Sequence, residues 1–576
     1  MYFLGKWCLR NSRREIWGHL NYSIAPYHWD DRRKLAFDLQ HLIDLYESIL
    51  PTLTDTLNEL HDTNHSIQYW RILIGHWTLH FIQVLFDRWT SLQNACSLFP
   101  EIKFRKINSS ERWPAAQNFV EFNYQVSSAV WNEHLYSDLI IEGGLLSPQN
   151  IETVEQDIET VEQESPPAEN KHGTSLKALV KDVLKSVIQR ILFANPSLQG
   201  RYFFHEACLK PINQFLLLMR LKEKPYFTTR VKPVNCSVKS SFREWKILIP
   251  SQEDAFQQIL CRLLPKYMPT VYLEGYQLNV AKANSLHWPK SPEVLFSSYS
   301  FNSDDVWKFY ASAKVELGSR LVLGQHGGHY GTGAFSAMQS EEIAIADKYL
   351  TWGWQDSNQN SVVPAPSTKL IRLKRPRKGP KSDCLLVLAT VPLFSGWLYS
   401  TPIGPQWDKY LQDQLSFTGH LREDFRRNLI VRGSSDASRC DLKNLFETTY
   451  PTVRFDTRRR NLLKSLRNVK LVVATYNATV FLETFSVGVP TVMFWDPTYW
   501  ELNADAGPYF EDLKTAGLLY DDALSCATFV NDTWENINEW WVSKEVQLAV
   551  SNFLEHYGYL GANPIKELAT RIRQAP

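Results

Sequence analysis

Two stretches hold residue types suited to moving a group from a phosphorylated donor to a hydroxyl. The first, Leu323-Gly-Gln-His-Gly-Gly-His-Tyr-Gly-Thr-Gly333, sets His326 and His329 among five glycines, between an apolar run and a helix-like segment. Glycine lets backbone approach a ligand closely and turn with positive φ, and a following helix aims its first amides into the same space. An imidazole held there titrates near neutral pH, so it can take the proton of a hydroxyl nucleophile. His326 is the candidate base and His329 a second catalytic candidate, with Gln325, Gly327 and Gly328 placed to line a donor. The plainer alternative is a glycine-rich loop whose histidines only bond to backbone.

The second stretch runs Leu471-Val-Val-Ala-Thr-Tyr-Asn-Ala-Thr-Val-Phe-Leu-Glu483, then through Gly488-Val-Pro490 into Thr491-Val-Met-Phe-Trp495, and reads as strand, polar turn, helix, strand. Thr475, Asn477, Ala478 and Thr479 surround the helix start, where hydroxyls, an amide and backbone N–H groups suit a mono- or diphosphate. A plain N-cap needs one such side chain, and three stand here. Glu483, one to two turns on, is placed to accept hydrogen bonds from a ribose or base. Arg432, ending the strand 429–431, is a candidate fork for phosphate, with a surface arginine as the alternative. Asp304 is kept as a possible second catalytic carboxylate, although acidic residues also favour helix starts. Glu341 reads either as a cleft residue or as part of a solvated acidic face.

No D-x-D between strands, H-E-x-x-H, G-x-S-x-G or G-x-x-x-x-G-K-[ST] is present, so zinc-protease, serine-hydrolase and P-loop readings lack support. No metal site and no cofactor are expected. The net charge of +1 supplies no bulk attraction to nucleic acid. Eight scattered cysteines without a C-x-x-C pair, no signal-peptide pattern in the first ten residues, and no apolar run of spanning length make a cytoplasmic protein the expectation. The seven basic residues between Lys369 and Lys381 read as a linker, or as a seat for an anionic acceptor or the inner membrane face. The many aromatic residues are expected mainly in packing.

Elements that must position these residues follow from periodicity. Leu35, Leu39, Leu42, Tyr46 and Ile49 predict a helix broken at Pro51, and Ile74, Trp77, Phe81, Leu85 and Trp89 predict a second. Ile151-Glu-Thr-Val-Glu-Gln-Asp157 is repeated at 158–164 and runs into Pro166-Pro167, an acidic surface insertion. A helix is expected over 176–192. Strand 293–297, helix 306–317 closed by Gly318, strand 321–323, helix 335–346 and strand 348–352 alternate as parallel βαβ units do. Strands 385–388, 429–431 and 469–473 predict a second αβ domain.

Met1-Tyr-Phe-Leu-Gly-Lys-Trp-Cys8, Tyr27-His-Trp-Asp-Asp-Arg32, Leu57-Asn-Glu-Leu-His61, Tyr69-Trp-Arg-Ile-Leu-Ile-Gly75, Gly324–Gly331, Thr351-Trp-Gly-Trp354 and Thr475–Thr479 together resemble a family of transferases from bacterial surface-carbohydrate and O-antigen gene clusters, over nearly the whole chain. Gln325-His-Gly327, Thr475–Thr479 and Pro490–Asp496 are also similar to GT-B-like polymerases that transfer glycerol phosphate from CDP-glycerol. That resemblance implies His326 as the base. The chain departs from those enzymes at Arg432-Gly-Ser434, where they tend to carry Arg, His and Pro close together.

The expected fold is α/β and GT-B-like: two Rossmann-like domains facing a cleft, with an N-terminal helical elaboration. Its parts are a helical region 1–150, an acidic insertion 151–172, a first domain 173–363 for acceptor and base, a basic hinge 364–382, and a donor domain 383–576. The expected activity is glycosyl transfer from a nucleotide-sugar donor to a surface glycan or a lipid-linked glycan acceptor, in lipopolysaccharide or O-antigen synthesis. Alternatives are alditol-phosphate transfer from a CDP donor, and a non-catalytic carbohydrate-binding or assembly protein.

Overall fold

The computed structural model describes residues 1–5, 8–9, 14–99, 101–107, 115–154, 196–247, 254–375, 381–392, 394–433, 442–456 and 462–574. Most of the duplicated acidic insertion, the helix expected over 176–192, residues 376–380 of the basic run and Ser434 lie outside them. The chain forms two compact units. One holds residues 37–324, 341–349 and 568–576, and the other 1–36, 325–340 and 350–567. The division falls elsewhere than the sequence-based boundaries, because the segment 325–340 leaves the unit that precedes it.

In the unit containing 37–324, helix α1 (Arg32–His61) continues through Pro51. The expected break is absent: a proline removes one helical N–H bond, while Leu45, Tyr46, Ile49, Leu50, Leu53 and Leu57 on either side of it all stay buried. Helix α2 (Ile67–Leu98) starts at Ser66, whose side chain accepts from the Tyr69 amide, and buries Ile74, Trp77, Phe81, Leu85 and Trp89. Trp70, Trp77, Trp131 and Trp307 are fully buried, as packing aromatics are expected to be. Strands β1 (Tyr202–Phe204), β2 (Val294–Ser297) and β3 (Arg320–Gly324) run parallel in that order. Their near-continuous burial fits strands covered on both faces.

Asp304 caps helix α3 (Asp305–Glu316): its carboxylate accepts from the Trp307 amide at 2.9 Å. It also accepts from the Val231 amide at 2.9 Å and meets His205 Nε2 at 3.0 Å, fully buried. The fold thus uses Asp304 as a helix cap and as the partner of His205. Glu341, on helix α4 (Ala337–Ile345), is buried rather than solvated. It accepts from Tyr46 Oη at 2.9 Å beside Arg71, and burial pushes its carboxyl up to about 7. The unit division crosses α4 after Ser340, and strand β4 (Lys348–Thr351) after Tyr349.

The other unit is organised by six parallel strands: β5 (Asp383–Val387), β6 (Leu429–Arg432), β7 (Arg454–Phe455), β8 (Val469–Ala474), β9 (Thr491–Phe494) and β10 (Leu519–Tyr520). Their spatial order is β7-β6-β5-β8-β9-β10. This is a doubly wound sheet whose order reverses between β5 and β8, the point at whose carboxyl end such folds seat ligands. Alternation along β5 divides the core. Cys384 and Leu386 pack in one cluster with Phe417 and Val530, while Leu385 and Val387 pack in another with Leu466 and Val487. Among the described residues no helix is long and apolar enough to cross a membrane.

The N-terminal Tyr27–Arg32 element folds into this unit as structure. Trp29 is fully buried and its carbonyl accepts from Gln406 Nε2 at 2.8 Å. Arg32 makes a two-pronged pair with Glu501, at 2.6 and 2.9 Å, and donates to Gln406 Oε1 at 2.8 Å.

Candidate functional site

At the carboxyl end of β8 the chain turns through Thr475–Ala478 into helix α5 (Thr479–Ser486). Ala478 occupies the N-cap in extended conformation, and no side chain caps the first turn. Such an end carries unsatisfied N–H groups and the positive pole of the helix dipole. Against it lies the His/Gly loop. The Gly328 amide donates to Thr479 Oγ1 at 3.0 Å, and Asn477 Nδ2 donates to Thr332 Oγ1 at 3.1 Å. The Thr332 hydroxyl in turn donates to the His329 carbonyl at 2.9 Å.

The contact at Gly328 is backbone on backbone. A Cβ there would lie 2.7 Å from Ala478 C and Thr479 N, so only glycine allows the approach. The rest of the loop is stitched to the same unit. Gly333 bridges Leu502 and Ser336 bridges Tyr399, and the Asn503 amide donates to the Thr332 carbonyl at 2.8 Å. The two sequence stretches are therefore one site within one compact unit.

The two histidines differ. His326 is half-buried, with Nε2 3.3 Å from Tyr330 Oη. His329 packs between Tyr330 and Tyr399, with ring centroids at 4.3 and 5.0 Å, and desolvation pushes it down to about 4. His329 is thus a neutral, weakly basic imidazole at pH 7.

The chain matches the family model described as LIC12162 family transferase over residues 1–572. It belongs to that family. No curated protein matches it. Solved structures similar to this family member include Acinetobacter baumannii MurG, at 10% identity and TM-score 0.30, covering 65% of this chain and 100% of that one. UDP-N-acetylglucosamine 2-epimerase from Rickettsia bellii follows at 11% identity and TM-score 0.37, covering 65% and 96%. The wall teichoic acid polymerase TagF matches at 10% identity and TM-score 0.31, covering 69% and 96%. The doubly wound architecture of this transferase stands on its own strand order.

Other residues singled out in the transferase's sequence have structural employment. Thr475 is fully buried in a closed relay: the Ala389 amide donates to Tyr410 Oη, Tyr410 meets Thr475 Oγ1 at 2.6 Å, and Thr475 donates to the Val387 carbonyl. Its hydroxyl ties β8 to β5. Gln325 is buried too, donating to the Gly327 carbonyl at 2.7 Å and accepting from the Trp352 amide and Trp354 Nε1, both at 2.8 Å. It shapes the loop. Arg432 Nη1 is held by Asp456 at 2.9 Å and Ser465 at 2.8 Å. Glu483 lies 3.6 Å from Lys369 Nζ.

Gly327, Gly328, Asn477, Ala478 and Thr479 do come together around the α5 start, with His326 two residues before the Gly328 contact. The buried Oδ1 of Asn477 has no hydrogen-bond partner among the described residues. Thr332, Tyr330 and Tyr399 complete the site without having been singled out. The first two stand inside or beside the glycine motif, while nothing in the sequence around Tyr399 marks it.

Proposed function

We propose that this transferase moves a glycosyl group from a nucleotide-activated donor onto a hydroxyl of a surface glycan or a lipid-linked glycan precursor, as a GT-B-like enzyme. The observation that supports this reading is the seating of the His326 loop on the uncapped start of α5. A base and an anion seat then occupy one place. Gly327, Gly328, Ala478 and Thr479 border the donor phosphates, and the helix dipole stabilises the charge that develops on the departing nucleotide. A donor hydroxyl completes the buried Asn477 Oδ1. His326 takes the acceptor proton as the acceptor oxygen bonds to the sugar's anomeric carbon. The bond from that carbon to phosphate breaks, and the nucleotide leaves with the electron pair. His329, held neutral by its aromatic neighbours, orients the loop. No resident metal or cofactor takes part in this reading.

The test uses a panel of nucleotide sugars and CDP-glycerol with a membrane extract as acceptor source. Wild type should release nucleotide and transfer the sugar without donor phosphorus. His326→Ala should lose about 10²–10⁴-fold in turnover while calorimetry still shows donor binding. Full turnover in that variant would remove His326 from the mechanism. Donor phosphorus in the product would replace glycosyl with alditol-phosphate transfer.

A further inference from the structure

The helix Pro211–Arg220 turns its two amides inward beside two leucines and carries further apolar side chains on its outer face. Its buried residues are Asn213, Gln214, Leu217 and Leu218, and Gln214 Nε2 donates to the Tyr226 carbonyl at 3.1 Å. Ile212, Phe215, Leu216 and Met219, spaced i, i+3, i+4 and i+7, form the opposite stripe. Ile212 is 57% exposed and Met219 54%, with Phe215 and Leu216 partly exposed between them. A surface helix ordinarily shows water its polar side. Two exposed apolar side chains with two half-buried ones between them, on a helix whose amides face in, mark a surface with a partner.

The chemistry of that partner is set by what surrounds the stripe. Arg220, Lys222 and Lys224 follow at the helix's carboxyl end, all exposed. Arg573, from the C-terminal helix, donates to the Arg220 carbonyl, which brings that helix's basic end alongside. The one acid in the stretch, Glu223, is turned inward to accept from the Arg201 and Tyr202 amides at 2.8 and 3.2 Å.

Lys222 adds a second sign. It has φ of 64° in the helix-ending turn closed by Glu223 N–H to Leu218 O at 2.9 Å. Glycine is the usual residue there, and a side chain costs stability. Lys222 therefore places a charge where the backbone favours glycine.

We propose that this face is a docking surface for an anionic lipid bilayer. Ile212, Phe215, Leu216 and Met219 enter the interfacial region, and Arg220, Lys222, Lys224 and Arg573 meet phosphate headgroups. A single convex helix with flanking cations suits a fluid interface, where long basic side chains reach back to headgroups. A protein partner would instead have to supply a groove, and lysine is depleted at protein interfaces. The surface shares no residue with the transfer site and does not depend on the reading of the reaction.

The test is co-sedimentation of the full chain with vesicles of phosphatidylcholine alone and of phosphatidylcholine mixed with phosphatidylglycerol. Binding is expected to the anionic vesicles, weakening as salt rises. Lys222→Gln with Lys224→Gln should weaken it about thirtyfold, and Ile212→Ser with Met219→Ser at least about tenfold. All four positions are exposed, so unchanged circular dichroism confirms that each variant is folded. Failure of wild type to bind, equal binding to both vesicle types, or full binding by both double variants would overturn the proposal. So would concentration-dependent self-association abolished by the Ile212/Met219 pair, which would assign the stripe to a second copy of the chain.

Discussion

Gly328→Ala tests whether the His/Gly loop is held by the start of α5. The added methyl would sit 2.7 Å from Ala478 C and Thr479 N and 2.9 Å from the Ala478 carbonyl oxygen. All three are backbone atoms, so no flexible side chain can yield. Restoring ordinary contact near ~3.4 Å requires the loop to withdraw by about 0.7 Å. That stretches the Gly328 N–H to Thr479 Oγ1 bond from 3.0 Å to about 3.7 Å, beyond hydrogen-bonding range. Losing it costs roughly 1 kcal/mol, and the residual overpacking adds roughly 1–2 kcal/mol.

The expected total of about 2–3 kcal/mol should appear as local opening of the loop. Hydrogen exchange of the 326–336 amides should therefore accelerate about 30- to 150-fold, because each 1.4 kcal/mol is a factor of ten. Thr479→Val removes the acceptor alone and should accelerate exchange about fivefold. Combined with Gly328→Ala it should add almost nothing, since the bond is already broken. A base misplaced by most of an ångström also predicts roughly 10²-fold lower transfer. If Gly328→Ala leaves the loop's exchange unchanged, or the two substitutions prove additive, the inference that this contact positions His326 is wrong.

His329 should make the unit acid-sensitive. Its unfolded value near ~6.5 lies above the folded value of about 4, so the unfolded state binds the extra proton first. Stability should fall as pH drops from about 6.5 to 4, and the difference between wild type and His329→Gln in denaturant titrations should shrink or reverse over that window; a pH-independent difference would contradict the desolvated ring. Arg32→Met leaves Glu501 without its two-pronged partner and should destabilise the N-terminal segment by about 2 kcal/mol. Limited proteolysis near residues 31–36 should quicken, and cleavage at the wild-type rate would show that the pair does not hold the segment.

Local order in this chain was largely legible because local signals agreed with packing. Strands 294–297, 320–324, 429–432 and 469–474 fall within a residue or two of expectation, since apolar runs bounded by glycine, asparagine or charge leave few alternatives. Pro51 misled, because the local penalty of one lost helical bond is outweighed by the buried leucines on both sides. Side-chain employment was harder to read. Thr475 and Asn477 look equivalent in sequence, two residues apart in one polar turn. The strand ends at Ala474 and the chain bends at 476–478, so Thr475 stays inward on Val387 and Tyr410 while Asn477 is turned to reach Thr332. Which polar residue at a strand end meets ligand and which knits strands depends on partners 65 to 145 residues away, and spacing alone does not contain that.

Membership of the loop in one unit bears directly on how the site works. His326 precedes the Gly328 contact by two residues, and the Asn477–Thr332 bond holds the loop again four residues beyond Gly328. The separation between the proposed base and the proposed anion seat is thus set by contacts inside one compact unit, in the way a preorganised site requires. Glycines at 327 and 328 have distinct work in that frame. The nearest neighbours of a Cβ at 327 would be the His329 and Tyr330 rings, at 3.2–3.4 Å, whereas one at 328 would meet rigid backbone. Substitution at 327 should accordingly be the milder of the two, because an imidazole edge can shift by a few tenths of an ångström and a helix start cannot.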